Sequence, residues 1–202
     1  MSDDQLDIVL TVNGEPVNER VAARTTLVDF LRETLQLTGS HVGCEHGVCG
    51  ACTVRVNGEI VRGCLMLAVQ CDGAVVETIE GVSDSGAVAD LQDAFVRRNA
   101  LQCGFCTPGM ILTAQELLEK ATAPLTREAI REHLSGNYCR CTGYHAIVDA
   151  VESVAQNREQ ARSESFRGAS IASEPGIQKH MTSVPDSGSG VPRRPGTTGE
   201  PS

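Results

Sequence analysis

Nine cysteines are spread unevenly through this 202-residue chain. Four of them, Cys44, Cys49, Cys52 and Cys64, follow the spacing C-x4-C-x2-C-x11-C. Four more come as two close pairs, Cys103/Cys106 and Cys139/Cys141. Clustered thiols close disulfides, bind metal as thiolates, or exchange electrons. Disulfides need an oxidising compartment, and the acidic, polar start Met1-Ser-Asp-Asp-Gln-Leu-Asp7 is unlike a secretory signal. The expected location is cytoplasmic, where clustered cysteine reads as metal or redox chemistry.

The first group sits in Gly43-Cys-Glu-His-Gly-Val-Cys-Gly-Ala-Cys52. Its opening spacing is that of plant-type [2Fe–2S] loops. Two irons bridged by two sulfides need four thiolates at tetrahedral positions, three from a loop and the fourth from a nearby strand edge. The loop must wrap closely with its amides turned toward sulfur, which Gly43, Gly47, Gly50 and Ala51 permit. Zinc knuckles usually use two close cysteine pairs, so zinc fits this loop poorly. His46 is a further candidate ligand. Its plainer reading is an exposed loop histidine, with Glu45 a surface carboxylate.

The second group lies in Gln102-Cys103-Gly-Phe-Cys106-Thr-Pro-Gly-Met110 and Asn137-Tyr-Cys139-Arg-Cys141-Thr-Gly-Tyr144. Each pair immediately precedes an expected helix, 108–120 and 142–156. Two helix N-termini would then face one anionic site. C-x2-C with C-x-C could also hold zinc, but a ferredoxin-like loop in the same chain favours a second [2Fe–2S] centre. Phe105, Tyr138 and Tyr144 either shield that centre from water or simply pack. Cys71 is left over. It is a plain strand residue or, in a competing assignment, the fourth ligand of the first group in place of Cys64.

Two kinds of scaffold must hold these thiols. Residues 5–80 read as strands with one helix: hairpins at Asn13-Gly14, Asn57-Gly58 and Asp72-Gly73, and a helix over 27–35 capped by Thr25 or Thr26. The third hairpin pairs Met66–Gln70 with Ala74–Ile79. Residues 84–157 read as four short helices, with Thr126 and Thr142 as caps of the last two and Pro108 in a first turn. The fold class is therefore α+β, an antiparallel-rich mixed sheet on one helix followed by an all-α bundle. The division falls into 1–80, 81–157 and a Ser-, Gly- and Pro-rich tail at 158–202, disordered or draped on a neighbour. A net charge of −9 argues against a nucleic-acid partner. Apolar runs far below ~20 residues exclude a membrane span. No paired carboxylates, nucleophile–base set or phosphate loop is present in the body, so no catalytic residue is assigned.

At this point the sequence resembles the iron–sulfur subunit of the molybdenum hydroxylases, the xanthine dehydrogenase, aldehyde oxidase and aerobic carbon monoxide dehydrogenase group. The stretches that carry the resemblance are Gly43–Val54, Leu101–Met110 and Asn137–Tyr144, within residues 5–157. It implies a β-grasp plant-type ferredoxin domain followed by a four-helix bundle. It implies a non-catalytic subunit that relays single electrons from molybdopterin, as a cytosine dinucleotide in a large subunit, to FAD in a medium subunit. The Cys103/Cys106/Cys139/Cys141 centre would lie on the molybdopterin side and the Cys44/Cys49/Cys52/Cys64 centre on the flavin side. Gln102 and Cys141 would contact the molybdopterin, and the assembly would be a dimer of heterotrimers. The Glu45-His46 form of the loop and Cys64–Gln70 look closer to carbon monoxide dehydrogenase-like and aromatic-acid or heterocycle-oxidising members.

A free-standing two-cluster ferredoxin is the rival, and a zinc-stabilised interaction module the third reading. Paired substitutions separate the two assignments of the fourth ligand. Cys64→Ala should abolish one [2Fe–2S] EPR signal and Cys71→Ala should leave both; the reverse pattern would exchange their roles.

Overall fold

The computed structural model describes residues 4–171, with side chains through Glu164. β1 (Gln5–Val12) and β2 (Glu15–Ala22) form an antiparallel hairpin. Asn13 and Gly14 between them both take positive φ, the conformation that a two-residue turn matching strand twist demands. β3 (Thr53–Val56) and β4 (Glu59–Arg62) repeat the device across Asn57-Gly58. β5 (Val75–Glu77) runs parallel to β1 and antiparallel to β3, giving the mixed order β2-β1-β5-β3-β4.

The Thr26 hydroxyl accepts from the Asp29 N–H and so caps α1 (Leu27–Asp29). The helix continues as a π-helical turn over Phe30–Thr34. It buries Leu27, Val28, Phe30 and Leu31. Leu27, Phe30 and Leu31 pack on Ile8, Leu10, Val54 and Val76 of the sheet.

The third expected hairpin does not form. Ala68–Cys71 is a 3₁₀ turn, closed by the Leu67 N–H donating to Gln70 Oε1 at 2.9 Å. The segment before it spends its backbone groups on the α1 entry: Leu27 N–H donates to the Met66 carbonyl and Ala68 N–H to the Thr25 carbonyl. Both edges of β5 are already used by β1 and β3, so no edge remains for a returning strand.

The second half is helical. α2 (Ile79–Asp84) is short and was not expected as a separate element. α3 (Ala89–Arg97), α4 (Thr107–Lys120), α5 (Arg127–Leu134) and α6 (His145–Ile171) occupy the expected stretches. Leu91, Phe95, Met110, Leu112, Ile130, Leu134, Ile147 and Val151 form their core, separate from that of the sheet. Thr126 caps α5, accepting from the Ala129 N–H. α6 runs well past the expected end at 156 and takes in 158–171. That stretch holds one glycine and no proline, and Arg158 anchors it through Asp90 at 2.7 Å and Gln115 at 3.0 Å. The remainder of the expected tail, 172–202, lies outside the described residues. Among the described residues, no helix is long and apolar enough to cross a membrane.

The two cores meet where α4 lies against β3 and β4, and the contact is polar. Arg55, whose side chain is 11% exposed, bonds Glu119 and lies 3.9 Å from Glu77. Lys120 bonds Glu59 at 2.7 Å, and Glu116 accepts from the Ile60 N–H at 3.3 Å. Backbone also approaches backbone: a Cβ on Gly109 would stand 2.3 Å from the Gly50 carbonyl oxygen. Gly109→Ala should therefore force the halves apart and destabilise the chain by about 1–3 kcal/mol. A lower thermal midpoint checks this, and an unchanged midpoint would remove Gly109 from the account of the contact.

Candidate metal centres

The loop from Gly43 to Cys52 leaves the π turn after α1 and feeds directly into β3. Cys64 follows β4, whose hairpin returns it to the loop. The four thiols come together in two pairs. Cys44 contacts Cys49 and Cys52 contacts Cys64, with Cys49 also beside Cys52 and Cys64. In the helical half, Cys103 and Cys106 lead into α4 and Cys139 and Cys141 precede α6. Cys103 and Cys141 Sγ lie 3.3 Å apart, Cys106 contacts Cys139, and Cys139 also neighbours Cys103 and Cys141. Among the described residues, no group of three or more His, Cys, Asp or Glu side chains is gathered to hold one metal ion. Two thiol pairs per set are what two irons need, with no carboxylate or imidazole among the donors.

Amides point at these sulfurs. The Cys49 N–H lies 3.4 Å from Cys44 Sγ. With the N–H groups of His46 and Val48 it draws the Cys44 thiol down to about 6. Burial instead pushes Cys52 up to about 11 and Cys106 up to about 12. The Phe105 N–H lowers Cys103. Burial raises Cys139, but the Thr142 hydroxyl at 3.1 Å and its N–H at 3.4 Å outweigh that and lower it. Such N–H···S contacts stabilise thiolate and are the means by which a protein tunes a bound cluster.

Several expectations need revision. Cys106 is the residue before α4, as foreseen, but α6 begins at His145, so Thr142 is not its cap. Tyr144, at φ +64, turns back instead. Its hydroxyl accepts from the Cys139 N–H at 2.7 Å and donates to the Asn137 carbonyl at 3.2 Å. The Thr142 hydroxyl therefore donates to Cys139 sulfur while accepting from the Tyr144 N–H at 3.3 Å, outside the helix. Cys71 is fully buried in the sheet core and its thiol is raised by burial alone, with no thiol beside it. His46 is exposed and its Nδ1 sits against the Cys44 carbonyl; Glu45 is exposed. Phe105 and Tyr138 are about half exposed, and Phe105 stacks on His41 with centroids 4.6 Å apart. Gln102, Cys103 and Cys141 all stand exposed.

Comparison with known proteins agrees with this layout. The 2Fe-2S iron-sulfur cluster binding domain family matches residues 10–77 and the [2Fe-2S] binding domain family matches 78–152. The caffeine dehydrogenase subunit gamma of Pseudomonas sp. (strain CBB1) is 51% identical over 162 residues, covering 78% of this chain and 95% of that one. The nicotine 6-hydroxylase small subunit of Paenarthrobacter nicotinovorans is 54% identical over 148 residues, 73% of this chain and 88% of its own. Among solved structures, quinoline 2-oxidoreductase from Pseudomonas putida 86 superposes with a TM-score of 0.71 at 47% identity, covering 78% of this chain and 97% of that one. The two matched domains define an iron–sulfur protein with two [2Fe–2S] binding domains. The chain belongs to the iron–sulfur small subunits of the molybdenum hydroxylases, non-catalytic subunits of oxidoreductase complexes.

The thiol environments give an order of reactivity. In the iron-free chain pH 7 lies above the Cys44 pKa, so that thiol is mostly thiolate, and far below those of Cys52 and Cys106, which stay protonated. Timed alkylation read by peptide mass should label Cys44 early and Cys52, Cys106 and the fully buried Cys71 last. Equal rates would contradict the geometry.

Proposed function

We propose that this chain is the electron-transfer subunit of a molybdenum hydroxylase complex. It carries single electrons from a molybdopterin centre, as a cytosine dinucleotide in a large partner subunit, to FAD in a medium one. Cys103, Cys106, Cys139 and Cys141 hold the [2Fe–2S] centre on the molybdopterin side. Cys44, Cys49, Cys52 and Cys64 hold the one on the flavin side. A [2Fe–2S] centre takes up and returns one electron at a time, so two in series divide two-electron chemistry into single transfers. The observation that carries the reading is the gathering of eight thiols into two sets of two pairs, each with N–H groups directed at sulfur.

The chain's own residues then have defined tasks. The N–H groups of Cys49, His46, Val48, Phe105 and Thr142 stabilise thiolate at Cys44, Cys103 and Cys139. The exposure of Gln102 and Cys141 suits contact with a neighbouring subunit's molybdopterin. Residues 1–80 form the β-grasp unit and 81–157 the helical bundle. The assembly is a dimer of heterotrimers in the cytoplasm. The complex oxidises a nitrogen heterocycle, as the names caffeine dehydrogenase, nicotine 6-hydroxylase and quinoline 2-oxidoreductase suggest by analogy.

Purification of the native complex tests this. Iron and acid-labile sulfide should each reach about four per chain, with two distinct [2Fe–2S] EPR signals on reduction. The chain should co-purify with molybdenum- and flavin-bearing subunits. A chain that elutes alone with its whole redox activity would be a free-standing ferredoxin, and zinc in place of iron would overturn the reading.

A further inference from the structure

One buried polar side chain has no part in holding either thiol set. Asn137 is 1% exposed. Its Nδ2 donates to the Gly50 carbonyl at 3.2 Å. Its Oδ1 lies 3.1 Å from the Thr113 hydroxyl and 3.4 Å from the Arg62 guanidinium. Its own carbonyl accepts from Tyr144. These partners come from four places: the first cysteine loop, α4, β4 and the turn before α6. A Cβ on Gly50 would stand 2.8 Å from Asn137 Cγ, so the loop backbone is seated directly on this amide.

The residue after Asn137 makes the consequential bond. The Tyr138 N–H donates to the Cys49 carbonyl at 2.8 Å. Cys49 belongs to the first thiol set, and Tyr138 is followed by Cys139 of the second. A continuous route therefore runs from Cys49 Sγ through Cβ, Cα and the carbonyl, across one hydrogen bond to the Tyr138 N–H, and along one residue to Cys139 Sγ. A further contact between the loops, His41 Nδ1 against the Phe105 carbonyl at 2.7 Å, involves no cysteine backbone.

We propose that Asn137 is a positioning residue for electron exchange between the two centres, pinning the Asn137–Cys139 segment to the Cys49–Gly50 carbonyls so that the Cys49–Tyr138 hydrogen bond bridges them. The inference rests on the reading of the thiol sets as [2Fe–2S] ligands. The transfer moves one electron from the centre held by Cys103, Cys106, Cys139 and Cys141 to the centre held by Cys44, Cys49, Cys52 and Cys64. No covalent bond forms or breaks, and no further reactant is needed.

The test uses the assembled complex with both clusters loaded. After one-electron photoreduction, freeze-quench EPR reads how fast the electron equilibrates between the two signals, and full reduction reads their magnetic splitting. Asn137→Ala should keep the iron content and both signals while slowing equilibration several-fold and narrowing the splitting, because it loosens the segment that carries the bridging hydrogen bond. Thr113→Val, which removes the hydroxyl beside Oδ1 and leaves the loop untouched, should shift both readouts the same way by less. If Asn137→Ala does not retain iron, Thr113→Val decides alone. Wild-type equilibration and splitting in an iron-replete variant would overturn the proposal. A wild-type complex without two [2Fe–2S] signals would overturn the underlying reading first, and this one with it.

Discussion

Thiolates held within contact of one another repel, and burial adds to the cost of their charge. That conflict organises this molecule. Cys52 and Cys106 are driven toward the neutral thiol by burial and by the thiols next to them. Cys44 and Cys139 are drawn the other way by N–H and hydroxyl donors. Neither tendency satisfies a whole set. A positively charged iron–sulfide core bound by these thiols would resolve both at once, and its ligation free energy would then count toward folding. The halves have reason to need it, since each apolar core contains one buried phenylalanine, Phe30 in the sheet unit and Phe95 in the helical one.

Because the two cores are separate, something else must set their relation, and it is directional. Ion pairs and backbone carbonyls join α4 to β3 and β4, and Asn137 knits four segments at the point where the cysteine loops meet. Apolar faces can slide and repack with modest loss, whereas hydrogen bonds fix orientation as well as distance. Gly50 and Gly109 complete the arrangement by leaving room for main chain to touch main chain.

Much of this was legible in the residues. Cysteine spacing separates the two sets, Asn-Gly marks two of the turns, and apolar spacing finds the four longer helices. The failures share a cause, which is that local pattern does not report competition for partners. Met66–Gln70 has strand composition, but the α1 entry takes its backbone bonds. Thr142 has the chemistry of a cap, but Cys139 sulfur claims its hydroxyl. Residues 158–171 look like the start of a low-complexity tail until Arg158 is seen reaching Asp90 and Gln115 across the fold. Asn137 stands inside a cysteine motif, yet its part depends on Gly50, Arg62 and Thr113, which the chain brings to it from far away in sequence.

The length of α6 has a geometric consequence. It begins just after the C-x-C turn and continues for 27 residues, which at 1.5 Å of rise each is about 40 Å. The far end of α6 therefore stands well away from the sulfurs of Cys139 and Cys141.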